Sequence, residues 1–302
     1  MISPYYSTKN GSLYLNDSIF LLMNETFNIY LNKINLIFTS PPFPLNRKKK
    51  YGNFVGKEYI NWFSNLSKIL SPYLTDNGSI VIELGNAWNP GSPTYSTLPI
   101  ESLLEFKRSG RFHLCQEFIY FNPTRLPTPV EWVNKKRIRV KDSFTKIWWL
   151  SKTDYPYANN RDVLIDYSKS MKKLLLNGKY NSGRRPSEHI IGKKSFLKDN
   201  KGAIPANVLI ASNTKNSDKY INYCKNNNIE LHPARMPEEI PSFFIKFLTK
   251  PNEIVLDPFC GSNTTGAIAE ILNRRWISIE LNKIYADGSM GRFKKIKFYD
   301  RI

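Results

Sequence analysis

Short, mostly apolar runs, separated by stretches of helical periodicity, restrict this chain more than any other feature. Leu36-Ile37-Phe38 lies within Asn35–Ser40, Ile80-Val81-Ile82 within Ser79–Leu84, Ile254-Val255-Leu256 within Glu253–Asp257, and Ile277-Ser278-Ile279 within Trp276–Glu280. Strands with so little polar alternation need cover on both faces, which a parallel sheet between helices provides. Residues 57–74 supply such a helix, with Tyr59, Ile60, Phe63, Leu66, Ile69, Leu70 and Tyr73 at three- and four-residue spacing and Gly78 ending the pattern. A strand over Ser12–Asp17, a helix over 99–108, strands over 112–121 and 144–151, and helices over 237–248 and 265–273 continue the alternation. The expected fold is α/β, with a mostly parallel sheet and helices on both sides.

From about 152 to 231 the chain is polar, rich in Lys, Asn, Ser and Gly, and weakly periodic. This reads as a separate lobe or large insertion between an ordered first part, 1–151, and an ordered last part, 232–302.

The formal net charge is +19 on 302 residues, which calls for a polyanionic partner. Nucleic acid fits better than a membrane, because the basic clusters lie on loops with Pro and Gly rather than on an amphipathic helix. No membrane span or signal peptide is expected. Cys115, Cys224 and Cys260 form no CxxC pair, and His113, His189 and His232 are dispersed. Neither a disulfide framework nor a metal site is expected, and a reducing cytoplasm fits.

Two segments carry chemistry. Asp257-Pro258-Phe259-Cys260-Gly261-Ser262-Asn263-Thr264-Thr265-Gly266 joins a strand to a helix, where an open α/β sheet binds its ligand. Gly261 allows close backbone approach, the helix N-terminus favours a carboxylate, and Glu280 at the next strand end can accept from ribose hydroxyls. The loop matches neither G-x-G-x-x-G nor a phosphate-binding loop with Lys-Ser/Thr, so a nucleoside without phosphate, such as S-adenosylmethionine, fits best. The second segment, Ser40-Pro41-Pro42-Phe43, follows a buried strand. Its paired prolines make a rigid turn that can aim the Ser40 hydroxyl and a carbonyl at one amino group, and Phe43 can stack on a planar base.

Together these motifs resemble the amino-group DNA methyltransferases. Ser-Pro-Pro-Phe, in place of Asp/Asn-Pro-Pro-aromatic, is similar to the N4-cytosine members, and the order of catalytic corner first and cofactor loop last resembles the permuted β class. Arg47-Lys48-Lys49-Lys50-Tyr51-Gly52-Asn53, Asn122–Pro127, Glu131–Asn134, Ile138–Asp142, Trp148–Lys152 and His232–Pro237 look like the PvuII-type modification enzymes. The resemblance covers most of the chain and is weakest over 155–230.

That resemblance implies a Rossmann-like, seven-stranded, permuted methyltransferase sheet with an inserted target-recognition region at 152–231. Residues 1–151 would then be the catalytic half and 232–302 the cofactor-binding half. It implies that Asp257, Phe259, Gly261, Ser262 and Thr264 border S-adenosylmethionine, that Glu280 holds the ribose and that Asp17 approaches the adenine. Asn263 stands where such loops often have Gly; if the position needs positive φ, Asn is the best tolerated alternative. Cys260 reads as packing.

Ser40 Oγ and the Pro41 carbonyl can accept the two N4–H bonds of a cytosine flipped out of duplex DNA and stacked on Phe43, leaving the nitrogen lone pair facing the methyl donor. The absence of a Pro-Cys dipeptide argues against attack at the ring carbon. Phosphate contacts are expected from Arg47, Lys48, Lys49, Lys50, Lys135, Lys136, Arg137, Arg139 and Lys141, and base contacts from Arg184 and Arg185. The expected partners are double-stranded DNA and, functionally, a restriction endonuclease of the same specificity, with the enzyme a monomer or homodimer. N6-adenine methylation on the same scaffold and an inactive DNA-binding protein are the alternatives.

Overall fold

The structure, a computed structural model, describes residues 2–44, 54–214 and 217–298. In chain order its regular elements are β1 (Tyr6–Ser7), β2 (Gly11–Leu15), α1 (Ser18–Leu22), β3 (Ile34–Thr39), α2 (Gly56–Leu70), β4 (Leu74–Leu84), α3 (Leu98–Gly110), β5 (His113–Phe121) and β6 (Phe144–Ser151). There follow α4 (Lys169–Asn177), β7 (Gly183–Arg184), β8 (Ile190–Ile191), β9 (Val208–Ile210), α5 (Lys219–Asn226) and α6 (Glu239–Leu248). The chain continues with β10 (Ile254–Asp257), α7 (Thr264–Ile271), β11 (Arg275–Glu280), α8 (Lys283–Ser289) and β12 (Lys297–Phe298).

Contacts divide these residues into one compact unit formed by 1–158 and 207–302 and a second formed by 159–206. In the larger unit the sheet order is β12-β1-β2-β11-β10-β3-β4-β6-β5-β9. The expected α/β architecture is therefore present, but the sheet has ten strands rather than seven. The central seven, from β2 to β5, are the expected set, and β6 alone among them runs antiparallel to its neighbours. The extra strands β1, β9 and β12 span only two or three residues, too few to show a sequence period.

Strand alternation divides the apolar runs between two cores. Ile37, Ile80, Ile82, Leu256 and Ile277 pack with Leu21, Tyr59, Phe63, Leu66 and Phe106 on one face. Leu36, Phe38, Val81 and Val255 pack with Ile240, Phe244, Ile245, Leu248 and Ile268 on the other. Both faces are covered, which is why these runs lack a polar period.

The polar stretch 152–231 is not one body. Residues 208–210 add β9 to the edge of the large sheet beside β5, and α5 packs Cys224 against Gly288 of α8. Polarity reported solvent exposure there, not separation from the sheet. The 159–206 unit holds α4, the β7–β8 pair, the Ile165–Ala203 bridge and a Tyr180–Phe196 ring contact at 5.3 Å.

Candidate functional site

Parallel pairing of β2, β11, β10, β3 and β4 brings the segments after their carboxyl ends to one edge of the sheet. Asp17, Ser40, Glu83, Asp257 and Glu280 all lie at that edge because each falls within two residues of the end of one of these strands. This is the crevice side at which open α/β sheets take ligands.

Asp257 ends β10 and is buried. Its Oδ1 accepts from Thr39 Oγ1 at 3.0 Å and Phe259 N at 3.1 Å, and its Oδ2 from Thr265 Oγ1 at 2.6 Å. Burial pushes its carboxyl up to about 6, against these hydrogen bonds and with a further push from Glu280. Asp257 thus fixes the turn that follows and ties it to β3. Ser18 Oγ donates to the Pro258 carbonyl, which binds the start of α1 to the same turn.

At Gly261 φ is +50°, and a Cβ there would meet His232 Nε2 at 2.8 Å, so glycine is required both for the backbone and for room. Its N–H donates to Glu280 Oε2 at 2.8 Å, while Glu280 Oε1 accepts from Asn282 N at 2.8 Å. Burial raises the Glu280 carboxyl, partly offset by these N–H donors. A carboxylate has about four acceptor positions, so the backbone N–H groups leave room on it for a hydroxyl donor. Ser262 Oγ lies 3.4 Å from Thr264 Oγ1 and accepts from Arg292 at 3.1 Å; Arg292 also donates to the Ser262 carbonyl at 2.6 Å. Phe259 is half-buried, its ring 5.8 Å from Trp62. Asp17 caps α1 through Oδ1, which accepts from Phe20 N at 2.8 Å. Cys260 is buried in the core, and burial pushes its thiol well up.

Asn263 explains its own presence. It adopts left-handed backbone, φ 54° and ψ 43°, as the cap of α7. Its buried amide oxygen accepts from Gly266 N at 3.1 Å and Ser278 Oγ at 2.8 Å, and its nitrogen donates to Tyr6 Oη at 3.2 Å. Asn263→Ala is expected to cost about 3 kcal/mol, from left-handed strain and unsatisfied buried partners, and Asn263→Gly less, because glycine removes the strain. Denaturant midpoints of the two variants check this; equal losses would contradict the strain component.

The second half of the edge is the Ser40–Phe43 corner. Pro41 is buried, the Pro42 carbonyl accepts from Tyr59 Oη at 2.8 Å, and the Phe43 ring lies so close to Gly85 that a Cβ there would approach within 2.4 Å. Ser40 lies beside Glu83, one strand over, where Thr39 pairs with Ile82, and its hydroxyl acts to lower that carboxyl. Glu83 is buried and its Oε1 also accepts from Thr145 Oγ1 at 2.9 Å. Burial raises its carboxyl, against the Ser40 and Thr145 hydroxyls and the charge of Arg125. Sequence reasoning did not single out Glu83, although an acid inside an otherwise apolar strand run was the signal available.

The basic residues fall into several surroundings. Arg47, Lys48, Lys49 and Lys50 lie outside the described residues. Lys135 and Lys136 pair with Glu131 at 3.2 and 4.0 Å, and Lys136 also lies over Trp132 at 4.6 Å. Arg137 is exposed in left-handed backbone. Arg139 donates to the Pro93 and Ile138 carbonyls, and Lys141 to those of Pro123 and Arg125. In the separate 159–206 unit, Arg184 pairs with Glu188 at 3.3 Å and Arg185 donates to the Asn181 carbonyl. Among the described residues no group of three or more His, Cys, Asp or Glu side chains could hold a metal ion, and no helix is long and apolar enough to cross a membrane.

A family profile described as DNA methylase matches residues 34–290. The chain is 45% identical over 292 residues to Type II methyltransferase M.PvuII of Proteus hauseri, covering 96% of this chain and 85% of that protein. It is 25% identical to Type II methyltransferase M.ScaI of Streptomyces caespitosus over 96% of this chain and 84% of that protein. The solved structure of PvuII DNA methyltransferase (cytosine-N4-specific) superposes with a TM-score of 0.77 at 38% identity, covering 97% of this chain and 89% of that one. The chain belongs to the N6/N4 DNA methylase family.

Proposed function

We propose that this chain moves a methyl group from S-adenosylmethionine to N4 of a cytosine flipped out of double-stranded DNA, as a site-specific modification enzyme. The observation that carries it is the Ser40–Glu83 pair on the same sheet edge as the Asp257–Glu280 turn. The cytosine-N4 specificity of the 38%-identical PvuII structure supports the choice of base.

The turn fits the cofactor. Glu280 offers a half-buried acceptor for a diol, and the N-terminus of α7 with Ser262 and Thr264 offers a polar, electropositive end for an amino-acid carboxylate. Asp257 and Gly261 shape the turn, Phe259 lines it, and Asp17, at the start of α1, would approach the adenine. When bound, the cofactor supplies an electrophilic methyl on sulfonium.

The protein's part is to position and desolvate the nucleophile. Because the Ser40 hydroxyl donates to Glu83, its lone pairs are left to accept from N4–H. The Pro41 carbonyl accepts the other N4–H, Pro42 keeps the turn rigid and Phe43 stacks on the base. This would leave the nitrogen lone pair free for the methyl, and the N4 proton would pass through Ser40 to Glu83, whose raised carboxyl makes it a better acceptor than a solvated one. Exposed cations between 135 and 137 and the segment 47–50 hold the phosphates, Arg139 and Lys141 stiffen the adjoining loop, and the 159–206 unit, with Arg184 and Arg185, reads bases as the core of a recognition region drawn from 152–231. A restriction endonuclease of the same specificity is the functional partner, and the cytoplasm is the location.

The test is transfer of labelled methyl from S-adenosylmethionine into duplex DNA, followed by identification of the modified nucleoside. Salt-sensitive DNA binding without transfer would sink the proposal.

A further inference from the structure

The segment 122–142 is a long excursion that the sheet does not require, yet it is braced throughout. Asn122 N donates to Ser143 O at 2.8 Å and Asp142 N to Thr128 O at 3.0 Å, closing its base. Ile138 N donates to Trp132 O at 2.9 Å. Lys141 Nζ joins the Pro123 and Arg125 carbonyls, and Arg139 Nε reaches the Pro93 carbonyl at 2.9 Å. The root is Asp142, buried, whose carboxylate accepts from Asn86 at 2.8 Å and Trp88 at 3.4 Å. Since β6 runs against β4, its start lies at the edge that carries Ser40 and Glu83.

Such a loop could point its aliphatic side chains inward. Instead Val140 is 87% exposed and Leu126 76% exposed. Val140 stands between Arg139 and Lys141, and the Lys141–Arg125 bond draws the Leu126 segment to it. A stiff β-branched side chain, held on a braced backbone among cations and rooted at the sheet edge that carries the catalytic corner, suits a surface that is anionic outside and apolar within. The base stack of a duplex is that surface.

We propose that the 122–142 loop enters the duplex and that Val140, supported by Leu126, fills the space left by the flipped base. Proteins that bend or open DNA insert apolar side chains between base steps in the same way, offsetting the cost of unstacking. This rests on the base-flipping methyltransferase reading above, and it gives Arg139 and Lys141 the role of bracing the wedge.

The test uses the full chain and duplexes carrying the site mapped by base-modification sequencing of DNA from an expressing strain. Single-turnover methylation is measured on a fully paired duplex and on one with the target base opposite an abasic site, where opening costs less. Val140→Ala and Val140→Gly are expected to slow the paired duplex roughly 10-fold and the unpaired one less than about 2-fold, with cofactor affinity unchanged. Leu126→Ala should show a smaller loss of the same kind. Equal losses on both duplexes, or none on the paired one, would overturn the wedge. Absence of methylation by the unaltered protein would sink the methyltransferase reading instead.

Discussion

Ser40→Ala is expected to lower the single-turnover rate of methyl transfer by roughly 100-fold or more while changing cofactor affinity by less than about 2-fold. The hydroxyl lies just after β3 and acts on Glu83, whereas the Asp257–Glu280 turn is held by Thr39, Thr265 and backbone N–H groups, so losing the hydroxyl should leave that turn intact. What is lost is an acceptor for N4–H and the link by which the proton reaches Glu83. Glu83→Gln separates the two contributions. It keeps a hydrogen-bonding partner for Ser40 but removes the base, so the rate should fall and the acid limb of its pH profile should disappear. In the unaltered protein the rate should rise as pH climbs through the raised Glu83 value, because only the carboxylate can accept the proton. Calorimetric cofactor binding beside single-turnover kinetics decides the matter: parallel loss of affinity and rate in Ser40→Ala would refute the assigned role.

The second large effect is on binding. Glu280→Ala should weaken S-adenosylmethionine binding by about 100-fold, with a much smaller change in the rate at saturating cofactor. Charge-assisted hydrogen bonds contribute about 1.5–3 kcal/mol each, and two ribose hydroxyls would meet this carboxylate. The substitution also leaves Gly261 N–H without its acceptor, loosening a turn whose φ of +50° depends on being held. Glu280→Gln should fall between, since its oxygen can still accept. Titration calorimetry measures both variants, and unchanged affinity in Glu280→Ala would remove Glu280 from the cofactor site.

Much of this was legible in the residues because the signals are local. The runs around Leu36–Phe38, Ile80–Ile82 and Ile254–Leu256 predict buried parallel strands, and those strands carry Ser40 and Asp257 to one edge. Asn263 was recognisable as the residue best suited to that loop position if it needed positive φ, and φ is 54° there. What escaped depends on partners distant in sequence. Glu83 looks like an ordinary charge in Ile82-Glu83-Leu84 until β3 and β4 pair and set it beside Ser40. Arg139 and Lys141 were visible as cations, but their backbone carbonyl partners at Pro93 and Pro123 are set by tertiary structure. The edge strands β1, β9 and β12 pair by position, with too few residues to carry a period.

The central claim is that this site methylates the exocyclic nitrogen of cytosine. DNA modified by the purified protein with isotopically labelled S-adenosylmethionine, digested to nucleosides and analysed by mass spectrometry, tests it most directly. The account predicts labelled N4-methyldeoxycytidine as the product, absent with Ser40→Ala. N6-methyldeoxyadenosine as the only labelled nucleoside would contradict it.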